Sequence, residues 1–105
     1  MARRKTIYIA GPITGVANYR DIFCSAERQL AGMGYDVLNP ASLPEGHTKQ
    51  EYMRVCFSFI DMADMVYFLP GYENSPGALL EQAYCDYIGK DYAMRIDTLK
   101  LLRRI

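Results

Sequence analysis

The chain has no tryptophan, a single histidine, three cysteines and no net charge. Each shortage removes a class of function. Its 12 Lys+Arg balance 12 Asp+Glu, so no global field draws it to a nucleic-acid polymer or to a membrane surface. Basic residues cluster only near the ends, at Arg3-Arg4-Lys5 and Arg103-Arg104, and read as solvated. Cys24, Cys56 and Cys85 are odd in number and show no Cys-x-x-Cys spacing, which argues against a disulfide framework and a structural zinc site. Reduced thiols suit a cytoplasmic protein. Cys56 and Cys85 fall beside apolar neighbours at helical spacing and read as small core residues. His47 lies in a Pro/Gly-rich loop with no nearby carboxylate partner in sequence, and reads as a surface residue. A Ser-His or Cys-His hydrolase is therefore not expected. No apolar run is long enough to span a bilayer, and none precedes Gly11 as a signal peptide would require.

What is present is enough for one core. Half of the 105 residues are hydrophobic, which suits a single domain over 1–105. Thr6–Ala10 is a short apolar, β-branched run stopped by Gly11-Pro12, and predicts a buried strand. From Asn18 the period becomes helical, with Tyr19, Phe23, Ala26, Leu30 and Met33 on one face, Ile22 beside them and Gly34 closing the helix. Tyr35–Leu38 predicts a second strand, stopped by Asn39-Pro40. The segment from Pro40 to Lys49 reads as an irregular loop. A second helix is expected from Gln50 to Met62, with Met53, Cys56, Ile60 and Ala63 on one face. Met65–Leu69 is apolar throughout, as a parallel strand covered on both faces must be. Ser75 can cap a third helix with Pro76 at its first position. Leu80, Ala83, Tyr84 and Tyr87 would be its buried stripe, and Gly89 ends it. Tyr92–Ile96 predicts a fourth strand, followed by a short helical tail from Thr98.

Alternating strands and helices with right-handed crossovers imply an α/β three-layer sandwich around a parallel sheet of about four strands, in the order 2-1-3-4. The switch point then lies between the first and third strands. The loops after Ala10 and after Leu69 meet there at one crevice.

The crevice carries the candidate residues. Gly11, Pro12, Ile13, Thr14 and Gly15 open toward a helix start, where glycines admit a ligand and free N–H groups favour an anion. Thr14 and Arg20 could assist a phosphate. Ser75 can both cap its helix and hold an anion, with Asn74 beside it. Tyr72 could stack on a base or sugar. Glu81 leans back over Gly77, which has no side chain, and so points into open space near the crevice. Asp64 precedes the third strand, at its amino end. Tyr8 lies inside the first strand, where its hydroxyl could hold Glu81.

Together, Ile7-Tyr8-Ile9-Ala10-Gly11-Pro12-Ile13-Thr14-Gly15, then Asn39-Pro40, Tyr52-Met53-Arg54 and Leu69-Pro70-Gly71-Tyr72-Glu73-Asn74-Ser75-x-Gly77-Ala78-x-x-Glu81 resemble the nucleoside 2-deoxyribosyltransferase-like superfamily. The nearest branch is its small phage and prophage members, and the resemblance covers roughly Lys5 to Lys90. It implies a flavodoxin-like fold and cleavage of an N-glycosidic bond without cofactor or metal. The small-molecule partner would be a nucleoside or a nucleoside 5′-monophosphate. It implies Glu81 as the nucleophile, Ser75 as a phosphate contact in the manner of the monophosphate hydrolases, and catalytic roles for Asp64 and Tyr8. It also implies a homo-oligomer, a dimer or higher. The chain departs from the pattern at Cys56, where many relatives carry Asp or Asn. A thiol cannot replace either as a hydrogen-bonding group. The alternative expectation is a non-catalytic module of the same fold that binds or sequesters a nucleotide.

Overall fold

A computed structural model describes residues 4–96. The basic residues Arg3, Arg103 and Arg104 and the helical tail expected from Thr98 lie outside the described residues. The chain runs β1 (Thr6–Ala10), α1 (Tyr19–Gly32), β2 (Asp36–Leu38), a 3₁₀ turn (Pro40–Ser42), α2 (Lys49–Met62), β3 (Met65–Phe68), a second 3₁₀ turn (Tyr72–Asn74), α3 (Pro76–Ile88) and β4 (Tyr92–Ala93). The strands form one sheet in the order β2-β1-β3-β4. Every pairing is parallel, with Ile7 opposite Met65, Thr6 opposite Asp36 and Val66 opposite Tyr92. This is the flavodoxin-like α/β sandwich expected of the sequence.

Strand alternation sorts the core into two layers. Ile7 and Ile9 of β1 pack with Phe23, Ala26 and Leu30 of α1. Tyr8 and Ala10 point the other way, to Ile60, Ala63, Val66, Phe68 and Cys85 beneath α2 and α3. Tyr8 therefore faces α3, the helix that carries Glu81.

Local chemistry fixes the ends of the helices. Thr48 and Glu51 form a reciprocal capping box at the start of α2. Ser75 caps α3 by accepting from the Ala78 N–H at 3.2 Å, with Pro76 at the first helical position. Between β3 and α3, Leu69-Pro70-Gly71-Tyr72 makes a turn closed by the Tyr72 N–H donating to the Leu69 carbonyl at 3.2 Å. Gly71 holds φ +88° there, as the third position of a type II turn requires.

Five expectations need correction. The second strand begins at Asp36 rather than Tyr35. The fourth strand is Tyr92–Ala93 rather than Tyr92–Ile96. Residues 40–49 are not irregular throughout, since Asn39 caps a 3₁₀ turn by accepting from the Ala41 N–H and Lys49 already belongs to α2. The third strand stops at Phe68, one residue early, where Leu69 enters the turn. The largest error concerns α3, whose buried positions are Ala78, Glu81 and Cys85. Leu80 is 54 % exposed, Tyr87 90 % exposed, and Ala83 is also exposed. The helix is rotated so that Glu81 takes a core position that apolar periodicity assigns to its neighbours.

Where β1 ends, the chain passes very close to the end of β3. A Cβ on Gly11 would lie 2.9 Å from the Cβ of Leu69, which is buried and bonded through its N–H to the Ala10 carbonyl at 2.8 Å. Gly11→Ala should therefore lower stability by about 1–3 kcal/mol, the usual cost of overpacking. Thermal unfolding of the variant measures this. An unchanged midpoint would mean that the two loops have slack at this crossing.

Candidate active site

A cleft of about 750 Å³ opens at the carboxyl ends of β1 and β3. This is the switch point of the sheet, and the volume suits a small ligand. Gly11, Pro12, Ile13 and Thr14 form one edge as the chain leaves β1. Asn74, Ser75 and Gly77 form a second edge at the start of α3. Residues between Pro40 and Met53 make the third.

Glu81 and Tyr8 lie at the base of the cleft. Glu81 is only 6 % exposed and Tyr8 1 %. The Tyr8 hydroxyl donates a short hydrogen bond to Glu81 Oε2. Among the described residues no cation is paired with Glu81. Burial pushes its carboxyl up to about 7, and the Tyr8 hydrogen bond pulls the other way. Tyr8 itself is raised well above the ordinary phenol range, first by burial and then by the Glu81 charge. The proton therefore stays on Tyr8, which acts as a fixed donor to the carboxylate.

Glu81 does not point into open space as expected over Gly77. The Met53 methyl lies 3.5 Å from where a Gly77 side chain would begin, so Met53 of α2 fills that gap. Cys56, one turn further along α2, also lines the cleft. Burial raises its thiol to about 11, so it remains neutral. It is a wall residue as much as a core residue, unlike Cys85, which is fully buried.

Four of the expected residues are not brought to the cleft. Asp64 sits at the amino end of β3, where its carboxylate accepts from the Thr6 N–H at 2.8 Å. A four-residue strand separates it from the carboxyl end, roughly 13 Å away at the usual rise. Its place is that of a clamp across the two strand starts. Tyr72 packs its ring against Phe68, with centroids 5.3 Å apart, because the 3₁₀ turn directs it into the lower core layer. Arg20 turns along the surface to Tyr19 and Glu45. Gly15 supplies a turn at φ +80°, with nothing near its α-carbon for a side chain to meet.

The wall from Pro40 to Met53 was missed. His47 is exposed, as expected of a surface histidine, but it also lines the cleft and has a carboxylate beside it. Its Nδ1 lies 3.5 Å from Glu51 Oε1, one helical turn away. That i,i+4 carboxylate was available in the sequence as a signal. Lys49 is the one Lys or Arg on the lining among the described residues. Among those residues there is also no group of three His, Cys, Asp or Glu that could hold a metal, and no helix long and apolar enough to cross a membrane.

Such a cleft can hold a small ligand and present it to one desolvated carboxylate whose lone pairs are aimed by a phenol. A carboxylate so placed can attack an electrophilic carbon or stabilise developing positive charge. The model of one protein family, described as "Domain of unknown function (DUF4406)", matches residues 5–94, so the chain belongs to that family. No curated protein matches the chain.

Proposed function

We propose that this member of the DUF4406 family cleaves, or transfers across, the N-glycosidic bond of a 2′-deoxynucleoside or its 5′-monophosphate, with Glu81 as nucleophile. The observation that carries the reading is the buried Glu81 carboxylate, hydrogen-bonded by Tyr8 at the base of a cleft at the sheet's switch point. The resemblance of the β1 and α3 segments to the nucleoside 2-deoxyribosyltransferase-like superfamily supports the same chemistry.

Glu81 attacks the anomeric carbon as the base departs, giving a glycosyl ester. Positive charge builds on the sugar in that step and favours an ionised carboxylate beside it. Tyr8 fixes Oε2, which leaves Oε1 to form the bond. Water or a second base then opens the ester and regenerates Glu81. Ser75 Oγ accepts from Ala78 N–H, so its own proton remains available to a phosphate oxygen. The N–H groups of the Gly11–Thr14 loop can share that phosphate. Association with a second copy belongs to the same reading.

Because the nucleophile must be ionised, kcat/KM for a substrate whose leaving group needs no proton should rise with pH through about 7 and level off above it. Tyr8→Phe removes the interaction that lowers the Glu81 pKa. Its profile should shift to higher pH, with the plateau reduced about 10- to 100-fold. Steady-state rates across a pH series check both. A Tyr8→Phe profile that overlies the wild type would remove the phenol from the mechanism.

A second reading is a nucleotide-binding module without turnover. It draws on the neutral Cys56 thiol in the cleft wall and on a Glu81 only partly ionised at neutral pH. Incubation with a panel of deoxynucleosides and their 5′-monophosphates, with and without a second base, separates the two. Base release followed by chromatography supports the enzyme, whereas saturable binding with no release supports the module.

A further inference from the structure

Departure of a nucleobase as an anion is slow, so an enzyme that breaks this bond gains by protonating the base as it leaves. The Glu81–Tyr8 pair cannot do this. Glu81 forms the bond to carbon, and the Tyr8 proton is held against Glu81 from within the core. The donor must also stand across the sugar from Glu81, because a displaced group leaves on the side opposite the nucleophile.

The sheet order identifies that side. β1 lies between β2 and β3, so the segment after β2 and the segment after β3 flank the Gly11–Thr14 loop. Glu81 belongs to the β3 side. The β2 side is the wall from Pro40 to Met53. Most proton-bearing groups on or beside that wall are already committed. The Tyr52 hydroxyl donates to the Pro44 carbonyl at 2.6 Å. The Tyr19 hydroxyl faces Glu45 at 3.3 Å. Gln50 offers only an amide, and Lys49 a flexible ammonium that suits an anion. His47 remains.

The His47 side chain is 52 % exposed, and its neighbours bias how the ring is turned. Glu51 Oε1 lies 3.5 Å from its Nδ1 and at the same time accepts the Thr48 N–H at 2.8 Å. The capping box of α2 thus doubles as the orienting carboxylate of an imidazole. The Tyr52 ring stands edge-on to it, at 84° with centroids 5.8 Å apart, and the Tyr52 hydroxyl accepts the His47 backbone N–H at 3.2 Å. With Nδ1 turned to Glu51, Nε2 is the nitrogen left for a ligand.

We propose that His47 is the proton donor to the departing base, oriented by Glu51. The inference rests on the glycosidic reading above. As the C1′–N bond breaks, its electron pair stays on the base and the Nε2 proton passes to a base nitrogen or carbonyl oxygen. Glu81 forms the new bond to C1′. In the second half, neutral His47 takes a proton from the attacking water. The resulting hydroxyl group adds to C1′, and the carboxylate of Glu81 departs.

The test compares two leaving groups on the same sugar. One is a purine deoxynucleoside, which needs the proton. The other is 4-nitrophenyl 2-deoxyriboside, whose phenolate leaves without one. In the first turnover, before the ester opens, His47→Gln should slow purine release by on the order of 100-fold while leaving 4-nitrophenolate release close to wild type. Glu51→Gln should reproduce the same split more weakly. An equal loss on both substrates, or no loss on either, would overturn the assignment to His47 while Glu81-dependent release still upheld the glycosidic reading. The split appearing in Lys49→Met in place of His47→Gln would move the donor to Lys49 and overturn the proposal. No release of either leaving group by wild type would overturn both readings together.

Discussion

Glu81→Ala is expected to lower base release by at least about 1,000-fold, the scale seen when a covalent nucleophile is removed and the rest of a site stays intact. The loss should fall on kcat and leave ligand binding nearly unchanged. In the proposed mechanism Glu81 would touch only the reacting carbon, whereas Ser75 and the Gly11–Thr14 loop would grip the remainder of the substrate. A structural role predicts a different result, with affinity and folding falling together. Steady-state kinetics, paired with equilibrium binding of a 5′-monophosphate, distinguishes the two. A modest loss of about tenfold would reduce Glu81 to an electrostatic helper.

Glu81→Gln should make the protein more stable than the wild type at neutral and alkaline pH. The folded-state pKa of Glu81 is raised to about 7 from an ordinary 4.5. Between those values the native state binds more protons than the unfolded chain, so wild-type stability falls as pH rises. Below about 4.5 the carboxyl is neutral in both states and burial carries no charge penalty. Above about 7 the penalty is complete, roughly 3 kcal/mol for a shift of this size. Glutamine can still accept from Tyr8 and has no charge to bury. The midpoint difference between variant and wild type should open across this window and reach on the order of 10 °C on the alkaline side. Parallel midpoint curves from pH 4 to 8 would show that the carboxylate is solvated. The same energy stored against ionisation is a reason to read this residue as functional, since a glutamine there would stabilise the fold.

Much of the fold was legible because its signals are local. Ile7–Ala10 and Met65–Phe68 are short continuous apolar runs, as expected of parallel strands covered on both faces. Met53, Cys56, Ile60 and Ala63 keep helical spacing, and Ser75-Pro76 marks a helix start. The expected order 2-1-3-4, which the sheet has, placed the loops after β1 and β3 together at one crevice. α3 was misread because periodicity assumes that apolar residues seek the core. Leu80 lines the cleft and Tyr87 is exposed, while the buried position belongs to Glu81, which only the Tyr8 hydroxyl makes tolerable. The wall from Pro40 to Met53 was illegible for another reason. Its residues reach the cleft through a 3₁₀ turn and a capping box, and neither sets a direction that spacing alone can give. Asp64 was legible as lying at the wrong end of its strand, and there its carboxylate binds the Thr6 backbone.

The most direct test of the account is to trap the glycosyl ester. A 2′-fluoro-substituted deoxynucleoside slows opening of the ester more than base departure, because fluorine disfavours positive charge at the anomeric carbon. After rapid quenching and proteolysis, the peptide containing Glu81 should gain the mass of one fluorinated sugar, and the wild type should release one equivalent of base. Base release with an unmodified Glu81, or a sugar found on any other side chain, would contradict the assignment of Glu81 as nucleophile.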